Sequence, residues 1–540
     1  MAAQPNPLPI VGPKQLPGDG SNELVLGSSS NELFFALVGH AGSGTSWVAL
    51  ALMDLLSDKK IQGQKVDVEI VKARSVIEKW ARDNGQPLPT PGTGRRLIDV
   101  SSLQDYGDKM RSEERKGRPD HAAIARGLIS EIRKRRALKV GATVSGGVAV
   151  KPDGKPRAYI LDAIRHPDEI ELLRHLYGDA FILVGVFCEE QQRIQRMLDK
   201  YRPATEKEIR AFMKRDADAA ESYGQHVADA FHQSDFFLDN TPPRLLPKDW
   251  VVNDKLSRLV KIISHEDVVR PEGEETAMYH AYSAQMQSAC LSRQVGAALV
   301  DKHGNVVATG TNEVPRAGGG VYGESFETGA PDFRCAMFSN PDERYCRNTT
   351  NQNEIIQELI QDVVELRNLS DDRKKRLAIE LRRTRIGSLI EFSRAVHAEM
   401  DALFSAARKG TSLVGTRLFV TAFPCHYCAA HIVTAGVDEV QYIEPYPKSR
   451  ALALHDDAIA TEPMNDWKAP SEGGHKVLFR PFSGVSPRLY ERAFLKDREL
   501  KDKNTGKMKF HPPRWGTPWH LSRASYPELE AELSEEDVKA

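Results

Sequence analysis

Two short strings constrain this chain more than anything else in it: His397-Ala398-Glu399, and Pro424-Cys425-His426-Tyr427-Cys428. One imidazole and two thiolates are a donor set that suits zinc. Three protein ligands leave the fourth tetrahedral position open, as in a catalytic rather than a closed structural site. A metal held this way lowers the pKa of a water in the open position toward roughly 7. Glu399 lies two residues past the imidazole and is placed to move protons rather than to be a fourth ligand. A bare C-x-x-C would equally suit a zinc site used only for folding, or unlinked thiols in a reducing cytosol. The ordered H-x-E, strand and P-C-x-x-C weigh against both.

The flanks support that order. Ile390–Val396 leads into Met400–Ala407, an Ala- and Leu-rich run predicted as helix and ended by Gly410. Thr416–Phe423 alternates like a strand, Pro424 stops it, and Cys425–Ala435 reads as the next helix. Both thiols then fall near a helix N-terminus, whose positive dipole end favours the thiolate. Upstream, a helix is predicted from Thr276. Ser292–Val300 and Val306–Gly310 form a hairpin around Gly304-Asn305, ending at Thr311-Asn312-Glu313-Val314-Pro315.

H-x-E followed by P-C-x-x-C resembles the signature of the zinc-dependent nucleobase deaminases. The order helix, hairpin, zinc helix, strand, zinc helix is similar to that of the cytidine deaminases. The resemblance implies that Glu399 takes a proton from water, passes it to ring N3, and protonates the amino group leaving C4. Gly310-Thr311-Asn312 resembles the G-x-N of deoxycytidylate deaminases, which implies that Asn312 contacts the sugar and helps position the base. An Asn serving only its turn is the other reading. Lys448 and Arg450, past the strand Glu439–Ile443, either grip substrate phosphates or decorate the surface.

The first half carries a different signal. Leu33–Val38 is a buried-strand run that feeds Gly39-His40-Ala41-Gly42-Ser43-Gly44-Thr45-Ser46 and an apolar helix, Trp47–Leu56. Strand, G-x-x-x-x-G-x-S and helix are the setting of a phosphate-cradling P-loop, with a ligand-free Gly-rich turn as the alternative. Thr45 stands where such loops carry Lys, so efficient phosphoryl transfer is not expected. Asp162-Ala163-Ile164-Arg165 after a strand, the strands Phe181–Phe187 and Phe236–Leu238, and Arg193 and Arg196 on a helix complete a βαβ order. That order resembles the nucleoside-monophosphate-kinase branch of P-loop proteins and implies nucleotide binding. The basic run Arg133–Arg136 reads as a solvated helix face rather than an RNA patch.

The expected architecture is therefore α/β: a P-loop nucleoside-monophosphate-kinase-like domain, then an α/β/α cytidine-deaminase-like domain with a long helical insertion. The divisions are a disordered tail over 1–30, the kinase-like domain over 31–255 and a linker over 256–275. The deaminase domain spans 276–483, with its insertion at about 316–389, and a C-terminal extension over 484–540 includes the Trp-rich His511–Leu521. The charged insertion helices suit solvent, a subunit contact or a substrate lid. Cys335 and Cys346 within it leave a second, structural zinc open.

Bulk properties narrow the rest. Lys plus Arg number 74 and Asp plus Glu 75, so no broadly basic surface for long nucleic acid is indicated. Six Cys in 540 residues are no disulfide framework. The longest apolar stretches are too short to span a bilayer, and no signal-like segment opens the chain, so a cytoplasmic protein without membrane contact is expected.

Taken whole, the strings G-H-A-G-S-G-T-S, R-Q-V-G-A-A-L-V, G-T-N-E-V-P, I-E-F-S-R-A-V-H-A-E-M-D-A-L and F-P-C-H-Y-C-A resemble the bacterial anti-phage dCTP deaminases. That resemblance implies Zn2+ as cofactor and deamination of the deoxycytidine nucleotides dCTP and dCMP, depleting the cytosine pool during phage infection. It also implies restraint by an inhibitory small RNA and assembly as a homo-oligomer, and leaves room for a second nucleotide at the P-loop. The competing readings are a polynucleotide deaminase acting on tRNA or single-stranded DNA, a nucleotide-regulated housekeeping dCMP deaminase, and a nucleotide kinase with an inert deaminase half.

Overall fold

The computed structural model describes residues 30–508, except 62, 89–95, 116, 145, 147, 220, 242–247, 266, 324–328, 330, 339, 447–448, 462–466 and 497–499. The expected tail (save Ser30), the stretch His511–Leu521 and Lys448 lie outside the described residues. Backbone contacts divide the chain into two units, one of residues up to Arg270 together with those from Ser483, the other Pro271–Phe482.

The first unit is built on a six-stranded sheet. Its chain order is β1 (Glu32–Val38), α1 (Thr45–Ser57), β2 (Asp67–Lys72), α2 (Leu97–Ser112), α3 (Ala123–Val140), β3 (Arg157–Ile164), α4 (Pro167–Tyr177), β4 (Phe181–Phe187), α5 (Glu190–Lys200), α6 (Glu206–Ala217) and β5 (Phe236–Asp239), with smaller elements between. In space the strands run β5-β4-β1-β3-β2, all parallel. All seven residues of β1 are buried, because helices cover both faces of a parallel sheet and its central strand becomes a continuous apolar run. Each such Leu, Val or Phe contributes about 1.5–3 kcal/mol by leaving water.

Two expectations about boundaries change here. The stretch expected as an extension from 484 begins as part of the first unit: Gly484–Val485 pairs antiparallel with β5, capping its otherwise open edge, and Pro487–Phe494 follows as a helix. The linker expected over 256–275 is shorter. A helix runs through Ile263, because Leu256, Leu259, Val260 and Ile263 recur at helical spacing and are buried, and the next helix starts at Gly273.

The second unit comprises α7 (Gly273–Gln285), β6 (Gly296–Val300), β7 (Val306–Thr311), α8 (Arg347–Asp362), α9 (Asp371–Arg382), α10 (Ala398–Arg408), β8 (Arg417–Ala422), α11 (His426–Ala435), β9 (Glu439–Glu444), β10 (Ile459–Ala460) and β11 (Val477–Pro481). Its sheet runs β7-β6-β8-β9-β11-β10, antiparallel around the hairpin and parallel from β8 onward. Gly310 on β7 is required by closeness: a Cβ there would lie 2.2 Å from the Ala398 carbonyl oxygen and 2.3 Å from the Ala402 nitrogen. The insertion folds as α8 and α9. Asn348 and Gln352 on α8 both donate to the Leu389 carbonyl, at 2.9 and 2.7 Å. Among the described residues no helix is long and apolar enough to cross a membrane.

Polar burial in the first unit is concentrated in ion pairs. Glu169 accepts from Nε and Nη2 of Arg111 at 3.0 and 2.8 Å, with both side chains wholly inaccessible. Its other oxygen accepts the Arg165 backbone N–H at 2.9 Å, which closes the N-terminus of α4. Glu169→Ala is expected to leave the Arg111 guanidinium buried with a poorer partner and to destabilise the first unit by about 3–5 kcal/mol in urea denaturation. A loss within about 0.5 kcal/mol, the level of an ordinary surface change, would refute that account.

Candidate active site

Two helix N-termini meet at one point in the second unit. His397 is the N-cap of α10 and Cys425 the N-cap of α11, with Cys428 one turn further on. The strand β8 ends at Ala422 and Pro424 cannot extend it, so the chain turns into α11 with both sulfurs at the helix start. Nδ1 of His397 lies 3.3 Å from each sulfur, Cys425 Sγ and Cys428 Sγ. Ligands around a tetrahedral zinc, at about 2.3 Å for sulfur and about 2.0 Å for nitrogen, stand roughly 3.5 Å apart, so this donor set fits zinc as it stands.

The electrostatics agree. The Cys425 thiol is held down at about 4, first by its hydrogen bond with Cys428 and then, against burial, by His397. Burial pushes the Cys428 thiol well up. The two sulfurs thus share one proton that a dication at their centre would expel. Glu399, in the first turn of α10, is buried, and burial raises its carboxyl above the usual range while His397 pulls the other way. A carboxyl whose proton is held more tightly than usual is suited to a shuttle's part.

Beside these groups opens a cavity of about 330 Å³, lined among others by His397, Glu399, Cys425, Asn312, Arg293 and Tyr446. Asn312 is at the cavity as expected, but its side chain is engaged with backbone. Oδ1 accepts the Val295 N–H at 2.6 Å, and Nδ2 donates to the Arg293 carbonyl. It therefore pins the turn that presents Arg293. That arginine pairs with Glu444 and lies over the Tyr446 ring at 5.5 Å. Sequence reasoning passed over Arg293. Its signal was a cation in the turn before β6, beside Ser292 and Val295, which also line the cavity. Arg450 is exposed and caps a short helix, Ala451–Leu454, and is not among the cavity's lining residues.

Cys335 and Cys346 do not come together with further ligands. Among the described residues the clusters able to hold a metal are His397/Cys425/Cys428 and His121/His166/Asp168. Cys346 Sγ instead lies 3.0 Å from Ser292 Oγ. In the second cluster both nitrogens of His166 already have backbone partners, Asp168 N–H at 3.1 Å and the Ser222 carbonyl at 3.0 Å.

In the first unit Gly39, His40, Ala41, Gly42, Ser43 and Gly44 form the turn between β1 and α1, and Thr45 and Ser46 open the helix. Gly42 and Gly44 have φ of 86° and 91°, a conformation other residues resist. Burial, aided by Arg193 and Arg165, drives the His40 imidazole down to about 3, so it is neutral.

Residues 271–444 match the family described as the cytidine and deoxycytidylate deaminase zinc-binding region. The deoxycytidylate deaminase of Enterobacteria phage T4 is 27% identical over 202 residues, covering 37% of this chain and 92% of the relative. A crystal structure of the dCMP deaminase from cyanophage S-TIM5 in complex with dCMP and dUMP aligns at 20% identity. It covers 40% of this chain and 99% of that one, with a TM-score of 0.22. The shikimate kinase of Acinetobacter baumannii aligns at 15% identity and TM-score 0.23, covering 43% and 94%. Cys425→Ala is expected to lose bound zinc, which metal analysis of the purified protein would show, and full zinc retention would refute the ligand assignment. With a zinc-ready His-Cys-Cys set, a buried carboxyl beside it and the family match in the same segment, residues 271–444 are the zinc-binding region of a cytidine/deoxycytidylate-type deaminase, a zinc-dependent hydrolase.

Proposed function

We propose that the second unit deaminates free deoxycytidine nucleotides, dCTP and dCMP, to the uracil nucleotides with release of ammonia. We further propose that this drains the cytosine pool that phage replication draws on. The observation that carries the first reading is Arg293, a cation in a cavity of about 330 Å³ that also holds the zinc ligands and Glu399. That volume is at the small end of ligand pockets and suits one nucleotide. A guanidinium at its wall suits a phosphorylated substrate. The phage enzymes aligned with this segment carry deoxycytidylate deaminase as their name, which supports the same substrate class.

Zinc bound by His397, Cys425 and Cys428 would supply the Lewis acidity that makes water a nucleophile at neutral pH. Glu399 takes the proton of the attacking water and delivers it to ring N3. It then takes the second proton from the new C4 hydroxyl and passes it to the amino group as the C4–N bond breaks, so that water plus cytosine gives uracil plus ammonia. Asn312 holds the Arg293 turn in place for this. In the first unit we read the loop Gly39–Ser46 as a cradle for a second nucleotide, with binding rather than transfer as its task.

Incubating the zinc-loaded protein with dCTP, dCMP and a cytosine-bearing oligonucleotide tests the substrate. Uracil is expected in the free nucleotides, and uracil in the oligonucleotide alone would overturn the reading. Glu399→Ala is expected to keep its zinc and lose turnover by at least about 10²-fold, the usual worth of a positioned acid–base. Arg293→Ala is expected to raise KM for dCMP while leaving the unphosphorylated nucleoside unaffected. An equal effect on both would place Arg293 away from the phosphate.

A further inference from the structure

The loop Gly39–Ser46 is a motif that the deaminase chemistry leaves unused. Ser46 Oγ donates to Asp162 Oδ2 at 2.7 Å. A loop Ser/Thr and a strand-end Asp are the two groups on which P-loop proteins hold Mg2+. Two helices close over the same loop. From α5, Arg193 packs on Gly42, where an added Cβ would fall 2.9 Å from the Arg193 Cβ. Arg193 also reaches the Ala41 carbonyl at 3.5 Å, and Arg196 reaches the carbonyls of Gly42 and Ser43 at 3.4 and 3.3 Å.

From α6 comes Asp216, whose carboxylate is buried. One oxygen accepts the Ala41 N–H at 2.7 Å, and the other accepts from Arg165 at 2.7 Å. The same guanidinium donates to the Gly39 carbonyl at 2.9 Å. A backbone N–H of the loop and a neighbouring guanidinium are what an anionic phosphate would seek, and a carboxylate of this chain has taken both. Burial drives the Asp216 carboxyl upward while Arg165 and the Ala41 N–H hold it down, so its charge depends on those two partners. Around the loop, Ser43 Oγ, Asn240 Oδ1 and Arg193 Nε are buried without hydrogen-bond partners. Buried polar atoms are seldom left so, and three beside one loop mark an arrangement that a further ligand would complete.

We propose that this loop is a site for the phosphates of a Mg2+-bound nucleoside triphosphate, and that α6 holds it shut by seating Asp216 on the Ala41 N–H as an internal phosphate mimic. The proposal rests on the reading of the loop as a nucleotide cradle. An entering triphosphate displaces the carboxylate and inherits Arg165. With Arg193, that arginine supplies the positive charge that Thr45, in the place of Lys, does not. Because α6 carries Asp216, occupancy of the loop is coupled to the position of that helix.

The test is titration of the full-length protein with Mg2+ and a fluorescent ATP analogue, competed by inorganic tripolyphosphate. Asp216→Asn keeps an oxygen acceptor but removes the charge. It is expected to bind about 5- to 150-fold more tightly than the wild type, the usual span of such couplings, and adding Ser46→Ala should abolish the gain. Binding by Asp216→Asn that is equal to or weaker than wild type overturns the stopper and leaves the loop a nucleotide site. No binding by either protein overturns both readings. Should Asp216→Asn fold poorly, hydrogen exchange of the wild type decides. Amides of α6 are expected to exchange faster at saturating Mg2+ and ATP, and unchanged exchange there overturns the stopper.

Discussion

The catalytic reading depends on two helix N-termini aimed at one point. His397 at the start of α10 and Cys425 at the start of α11 bring their side chains together because α10, lying on β6 and β7, packs against α11. The dipole ends favour thiolate and stabilise negative charge near the metal. The same placement puts Glu399 in the first turn of α10, where burial raises its carboxyl. Small residues make the convergence possible. Gly310 lets β7 run against α10 at a distance that any Cβ would forbid.

The first unit solves a different problem. Its parallel sheet buries apolar residues on both faces and must also bury charged ones, which it does in pairs: Arg111 with Glu169, Arg136 with Glu32, and Arg165 with Asp216. The first two close helix and strand ends. The third sits on a Gly-rich loop, where a buried carboxylate has a cost that a structural role alone could have avoided with an apolar residue. Asn312 shows the same economy in the second unit. A residue whose sequence setting implied a sugar contact serves the backbone that carries Arg293.

Much was legible in the residues. The zinc strings announce their own geometry because metal chemistry fixes donor type, and proline and glycine fix where strand and helix end. β1 was plain as an unbroken apolar run, and the turn after it as glycines at positions with positive φ. Less was legible where a residue's role depends on what packs against it. The helix through Ile263 was hidden because its polar positions read as a linker, while its apolar ones, Leu256, Leu259 and Val260, are buried only in the fold. Arg293 carried no motif of its own.

The sequence by itself determined the candidate ligand set, the acid beside it, and the order of elements that brings them to one end of a sheet, since spacing and donor chemistry are local properties. Only the tertiary structure decided which cation walls the cavity, that Gly484–Val485 returns to the first unit's sheet, and that Asp216 reaches a loop 175 residues away in the chain. Those are long-range pairings, set by the packing of whole helices and strand edges, and no local pattern encodes them.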